Sequence, residues 1–212
     1  MMYTFSGIDS SGKTTQINLL KQYCEENNIK YHYHWSKGRA TPFVMFLKKV
    51  FRRDKKMDDG EKKEYRKKFY KSKKKKRILL FFSITDLIWY WGIYYRFLKM
   101  RHKFLICDRY IWDTYIDFVT EFPEFNINKW IIWKIAKKLA PKPNCSFVFI
   151  ISANESYKRD LLKGDIAPDS IERKKEKIQQ YEKLILLQKW QVVIDGMKTK
   201  EDIFEVIKEN VL

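Results

Sequence analysis

At 212 residues, with seven Trp, thirteen Tyr and fifteen Phe, the chain has ample apolar surface for a single folded domain over 1–212, which excludes a wholly disordered chain. Cys24, Cys107 and Cys145 are scattered without zinc-finger or redox spacing, and no secretory signal precedes them, so cytoplasm is the expected compartment. The net charge of +18 is concentrated between Lys48 and Arg77, where 17 Lys or Arg face five acids, an excess of +12 that describes one surface and not the fold.

Residues 3–6 are a β-rich run that ends at Gly7. A glycine-punctuated loop follows, and from Thr14 the apolar residues Ile17, Leu20 and Cys24 recur at helical spacing to about Asn27. Residues 30–35 alternate as a second strand, and Gly38 and Pro42 mark a loop. A basic helical segment covers about 43–77, with a break near 58–60, and an aromatic helix covers 78–98. The stretch 78–100 is long enough to cross a membrane, but Asp86 lies near its middle, where a carboxylate costs about 2.5–3.5 kcal/mol; a core helix or pocket wall is the expectation.

Residues 104–107 form a short apolar run closed by Asp108. Helical patterns over 111–122 and 127–139 are separated by Pro123. The continuous apolar run 147–151 is the best buried-strand candidate. Helices over 154–163 and 170–189 flank a lid-like segment at about 154–170, a strand covers 192–194, and Thr199 caps a final helix. Strands alternating with helices predict an α/β fold, a parallel sheet covered on both faces. His32, His34 and His102 carry no metal-ligand context.

The segment Gly7-Ile8-Asp9-Ser10-Ser11-Gly12-Lys13-Thr14-Thr15 fits G-x-x-x-x-G-K-[ST], and it lies between a predicted strand and a predicted helix. Gly7 and Gly12 permit conformations and a close approach that a Cβ would block. The loop N–H groups of Ser10, Ser11, Gly12, Lys13, Thr14 and Thr15 then gather at the positive end of a helix, where phosphate oxygens bind. Lys13 reaches the β- and γ-phosphates of ATP, and the Thr14 hydroxyl completes the shell of a Mg²⁺ ion. Asp9, inside an anion-binding loop, either turns toward an acceptor or stands in solvent.

The loop with its Asp resembles that of the thymidylate kinase family. Leu79-Leu80-Phe81-Phe82-Ser83 is similar to that family's L-L-F-x-A helix, and Phe104-Leu-Ile-Cys-Asp-Arg-Tyr110 to its third strand and D-R-[YFH] motif. The resemblance implies a P-loop NTPase fold, with five parallel strands, the phosphate-loop strand central and helices on both faces. It implies Asp108 near the metal or acceptor, Arg109 on the acceptor phosphate, Arg159 as a lid arginine over ATP, and a homodimer. An Asp-Arg pair just past a buried strand also stands where open α/β sheets bind ligands.

The sequence departs from the family on the acceptor side. Lys37, Gly38 and Arg39 stand in a segment unlike R-E-P-G-G-T; Thr85 and Asp86 stand where an arginine is expected; Asp113, Thr114 and Asp117 replace the S-x-x-A-Y-Q pattern; Lys163 replaces a second lid arginine. The expected activity is phosphoryl transfer from Mg·ATP to a small acceptor, nominally dTMP, with a sugar or lipid-linked glycan at a membrane surface as the alternative. An ATP-binding regulatory or nucleic-acid-associated protein without phosphotransfer is the alternative from another class. For the basic run 48–77, a solvated face, a peripheral anionic membrane surface and nucleic acid stay open, and the lack of a nucleic-acid-binding module ranks that last partner lowest.

Overall fold

The computed structural model describes residues 1–36, 72–165 and 168–211. The loop of Gly38 and Pro42 and the basic run 48–71 lie outside the described residues, as do two positions of the lid-like segment.

Five parallel strands form one sheet: β1 (Met2–Gly7), β2 (His32–Trp35), β3 (Leu105–Asp108), β4 (Cys145–Ile150) and β5 (Val192–Asp195), in the order β2-β3-β1-β4-β5. The phosphate-loop strand is central, as the resemblance implies. β1, β3 and β4 are buried along nearly their whole length, the polar Thr4, Ser6 and Ser146 included, because both faces of the sheet are covered.

Alternation along the strands sorts side chains between the two faces. Tyr3, Phe5, Ile106, Phe147 and Phe149 pack with Ile17, Leu20 and Cys24 of α1 (Lys13–Glu26). The terminal helix, α8 (Lys200–Val211), adds Ile203 and Ile207 to that face, and the Thr199 hydroxyl accepts from Asp202 N at 3.2 Å at its start. On the opposite face, Met2, Leu105 and Cys107 pack with the aromatic helices.

The aromatic helix is longer than its apolar pattern. It starts at Lys73 as α2 (Lys73–Trp89), passes through a π-helical turn at Tyr90–Tyr94 and continues as α3 (Tyr95–Arg101). Lys and Arg are good helix formers and Ser72 accepts from Lys75 N, so the basic lead-in is helical too. Leu80, Ile84, Leu87, Trp91 and Tyr95 are buried, while Trp89 faces outward at 53% exposure. The helix run Lys73–Arg101 is also the one, among the described residues, that is long and apolar enough to cross a membrane.

Two helices follow β3: α4 (Ile111–Glu121) and α5 (Ile131–Leu139), whose Trp133 is fully buried against Trp91 and Tyr115. The pattern 127–139 is broken into a 3₁₀ turn, Ile127–Lys129, and α5, because Trp130 is extended. Next come α6 (Ala153–Leu162) and α7 (Ile171–Leu186), capped by the hydroxyls of Ser152 and Ser170. α7 ends three residues before the periodicity does, where Gln188 takes φ 51°.

Candidate active site

The phosphate loop joins the end of β1 to the start of α1. At Gly7 φ is 141°, and a Cβ there would lie 2.7 Å from the Phe149 carbonyl oxygen, so only glycine lets β4 pass this close. Gly12 has φ 98° at the helix start and Ser10 has φ 56°, so the loop turns through left-handed conformations to aim its N–H groups inward.

Lys13 is buried and folded back on the loop. Its Nζ donates to Gly7 O at 2.8 Å, Ile8 O at 2.6 Å and Ser11 Oγ at 3.3 Å. Burial and the Arg109 guanidinium pull the ammonium down to about 8, against the carboxylates of Asp108, Asp113 and Asp9. Thr14 and Thr15 are exposed on the first turn of α1.

Asp108 and Arg109 are sequence neighbours with different partners. Arg109 sits at φ 66°, a sparsely populated conformation for a side-chain-bearing residue, and its Nη2 binds Asp9 Oδ1. Burial works against the guanidinium's charge, yet Asp9, Asp113 and Asp117 together hold it firmly protonated. Burial would raise the Asp9 carboxyl, but Arg109, Lys13, Lys177 and Lys174 outweigh it and hold it below the ordinary range. Asp9 is turned to the β3 side, where the acceptor is expected.

Asp108 is buried, and Tyr33 OH donates to its Oδ2 at 3.1 Å. Its Oδ1 is buried without a hydrogen-bond partner. Burial pushes the carboxyl up, against Lys13, Arg109 and the Tyr33 bond. A buried carboxylate oxygen with free lone pairs beside the loop fits the oxygen donor set that Mg²⁺ takes, together with the exposed Thr14 hydroxyl.

β2 meets the π-helical turn and the start of α3 through aromatic rings, His34 lying against Tyr90, Tyr94 and Tyr95. His34 Nε2 lies 2.7 Å from Tyr90 OH, and burial with His32 nearby lowers its pKa to about 4, so the ring is neutral at pH 7. Thr85 points outward, its hydroxyl donating to Phe81 O, whereas Asp86 is buried. On the other flank Arg159 donates from Nε to Glu155 Oε1 at 2.7 Å and from Nη1 to Gly196 O at 3.2 Å, while Lys163 reaches Ser10 Oγ at 3.1 Å. The expected residues thus converge on one end of the sheet, with Arg159 held outside the loop and Lys163 on it.

Several site residues lie outside the recognisable motifs. Asp113 accepts from Ser6 Oγ at 2.6 Å, Gly7 N at 3.1 Å, Tyr110 N at 2.9 Å and Tyr181 OH at 2.6 Å. Its spacing after Asp108 marked it as a departure, but its role as a clamp needed the fold. Tyr33 was hidden in a short alternating strand. Lys174 carried a signal: it lies on the α7 stripe with Ile178 and Tyr181, at helical spacing, and is 1% exposed.

A family model for thymidylate kinase matches residues 5–207. A solved structure of thymidylate kinase from Ehrlichia chaffeensis is similar, with 19% identity and a TM-score of 0.55, covering 99% of this chain and 97% of that one. No curated protein matches.

Proposed function

Because the chain belongs to the thymidylate kinase family, a family of ATP-dependent phosphotransferases, we propose that it moves the γ-phosphoryl group of Mg·ATP onto the phosphate of a nucleoside monophosphate, dTMP in the first instance. The supporting observation is the meeting of Lys13, the unpartnered Asp108 Oδ1 and the Asp9–Arg109 pair at adjacent strand ends. On nucleotide binding Lys13 exchanges the Gly7 and Ile8 carbonyls for β- and γ-phosphate oxygens, and the loop N–H groups take the remaining oxygens. Thr14 and Asp108 would hold Mg²⁺, and the ion would supply charge neutralisation for the phosphates. Arg109 faces the acceptor phosphate, with Asp9 orienting the acceptor and Arg159 covering ATP. A phosphate oxygen of the acceptor forms the new bond to the γ-phosphorus as the bond to the β–γ bridging oxygen breaks, and ADP leaves.

The test is ADP release from Mg·ATP with dTMP, with other nucleoside monophosphates and without acceptor. Stimulation by dTMP over the acceptor-free rate is the expected result; no stimulation by any nucleotide overturns the nucleotide acceptor.

A second acceptor class rests on the buried Asp86 and the outward Thr85. Tyr33 and Asp108, joined at 3.1 Å at neighbouring strand ends, suit hydroxyls better than a phosphate dianion, which favours a sugar or a lipid-linked glycan presented at an anionic membrane surface. There Asp9, ionised beside Arg109, takes the hydroxyl proton as the acceptor oxygen bonds to the γ-phosphorus. Stimulation by neutral polyols in the same assay, with none by nucleotides, selects this class.

A further inference from the structure

Lys174 is a lysine 1% exposed, on a helix that touches no part of the G-x-x-x-x-G-K-[ST] motif in sequence. Burying an ammonium is costly unless it is paired with an opposite charge and hydrogen-bonded. Its Nζ donates to Asp160 Oδ2 at 2.5 Å and to Ser156 Oγ at 2.8 Å, both on α6. Ser156 is fully buried, and its hydroxyl spends its own proton on the carbonyl oxygen of Asp9, 2.8 Å away. The chain of donors runs one way, from ammonium to hydroxyl to phosphate-loop carbonyl, so the charge polarises the serine and strengthens its hold on the loop.

The same helix meets the loop a second time. Tyr181, two turns beyond Lys174, donates to Asp113 Oδ1, and Asp113 Oδ1 accepts from Gly7 N. One helix therefore braces the loop at its first residue and at the turn of Asp9 and Ser10. Hydrophobic side chains of this volume would cover the interface without fixing a carbonyl's direction; a satisfied polar relay fixes it.

We infer that Ser156 and Lys174, with Asp160 as counter-ion, are positioning residues for phosphoryl transfer, which set the Asp9 peptide and with it the cradle of loop N–H groups and the Asp9–Arg109 pair. They touch neither nucleotide nor acceptor; their effect passes through the loop backbone. This rests on the phosphate-loop reading but on neither acceptor class.

Ser156→Ala cuts the relay at one hydroxyl and leaves the ion pair whole. It is expected to weaken Mg·ATP binding, measured by calorimetry, roughly tenfold, and to lower turnover by a similar factor, as loops misplaced by fractions of an ångström do. Ser156→Thr keeps the hydroxyl and is expected to restore both. The double variant Lys174→Met with Asp160→Asn removes both charges together, avoiding a lone buried carboxylate, and is expected to behave as Ser156→Ala does. A lowered melting temperature with wild-type Kd and turnover in Ser156→Ala would make the relay merely structural and overturn the inference. Wild-type protein that fails to bind Mg·ATP would instead remove the phosphate-loop reading itself.

Discussion

Lys13 donates its protons to two loop carbonyls and a serine, partners that phosphate oxygens can replace. Its pKa of about 8 places its charge loss within reach of experiment. The phosphates favour the protonated form, so binding takes up protons, and affinity is retained below pH 8 and lost as pH rises through it. Mg·ATP affinity is expected to fall by up to about tenfold per pH unit above 8, with a buffer-dependent binding enthalpy near pH 8. Lys13→Arg, which stays charged throughout, is expected to flatten that profile; an equally steep profile in this variant would detach the effect from Lys13. Asp108 and Asp9 show how neighbours divide roles: the same carboxyl chemistry is pushed up where it is buried and held down where it meets Arg109.

At the scale of the element, the junction of β1 with its loop depends on a missing side chain. Gly7→Ala forces a Cβ against Phe149 O and Ser11 Oγ, at a backbone angle of 141°. A loss of about 1–3 kcal/mol of stability is expected in urea denaturation, together with weaker nucleotide binding, since the same shift displaces the Gly7 N–H from Asp113. An unchanged denaturation midpoint would mean that β4 can yield. The aromatic helix shows the limit of periodicity as a guide to an element's length. A core helix over 78–98 was legible, but its buried stripe of Leu80, Ile84, Leu87, Trp91 and Tyr95 came with the fold, the start at Lys73 was set by Ser72 and by helix propensity, and the π-helical turn left no trace in the pattern.

At the scale of the whole molecule, Asp113 joins elements that are far apart in sequence: β1 through Ser6 and Gly7, the start of α4 through Tyr110, and α7 through Tyr181. Asp113→Ala leaves four donors without this acceptor, and a loss of about 3 kcal/mol or more is expected in chemical denaturation. Asp113→Asn, which keeps one acceptor oxygen, is expected to lose less. A change below about 1 kcal/mol in the alanine variant would show that water or a neighbour replaces the carboxylate. The position was visible in the sequence only as an oddity five residues after Asp108; that it clamps the phosphate loop follows from α4 returning beneath β1.

The alternation of strands and helices, the phosphate loop, and the strand ends that carry Asp108 and Arg109 are all legible in the order of residues. These are local: an apolar run bounded by a turn, a glycine-rich link into a helix, a period of 3.6 or 2. The tertiary structure alone decided which partner each charge takes. Arg109 turned from Asp108 to Asp9, one Asp108 oxygen was left free, Asp86 was buried while Thr85 faced out, and Lys174 was brought under the Asp9 carbonyl. Hydrogen bonds and ion pairs act over a few ångströms, and which groups come that close is fixed by strand order and helix packing, not by distance along the chain.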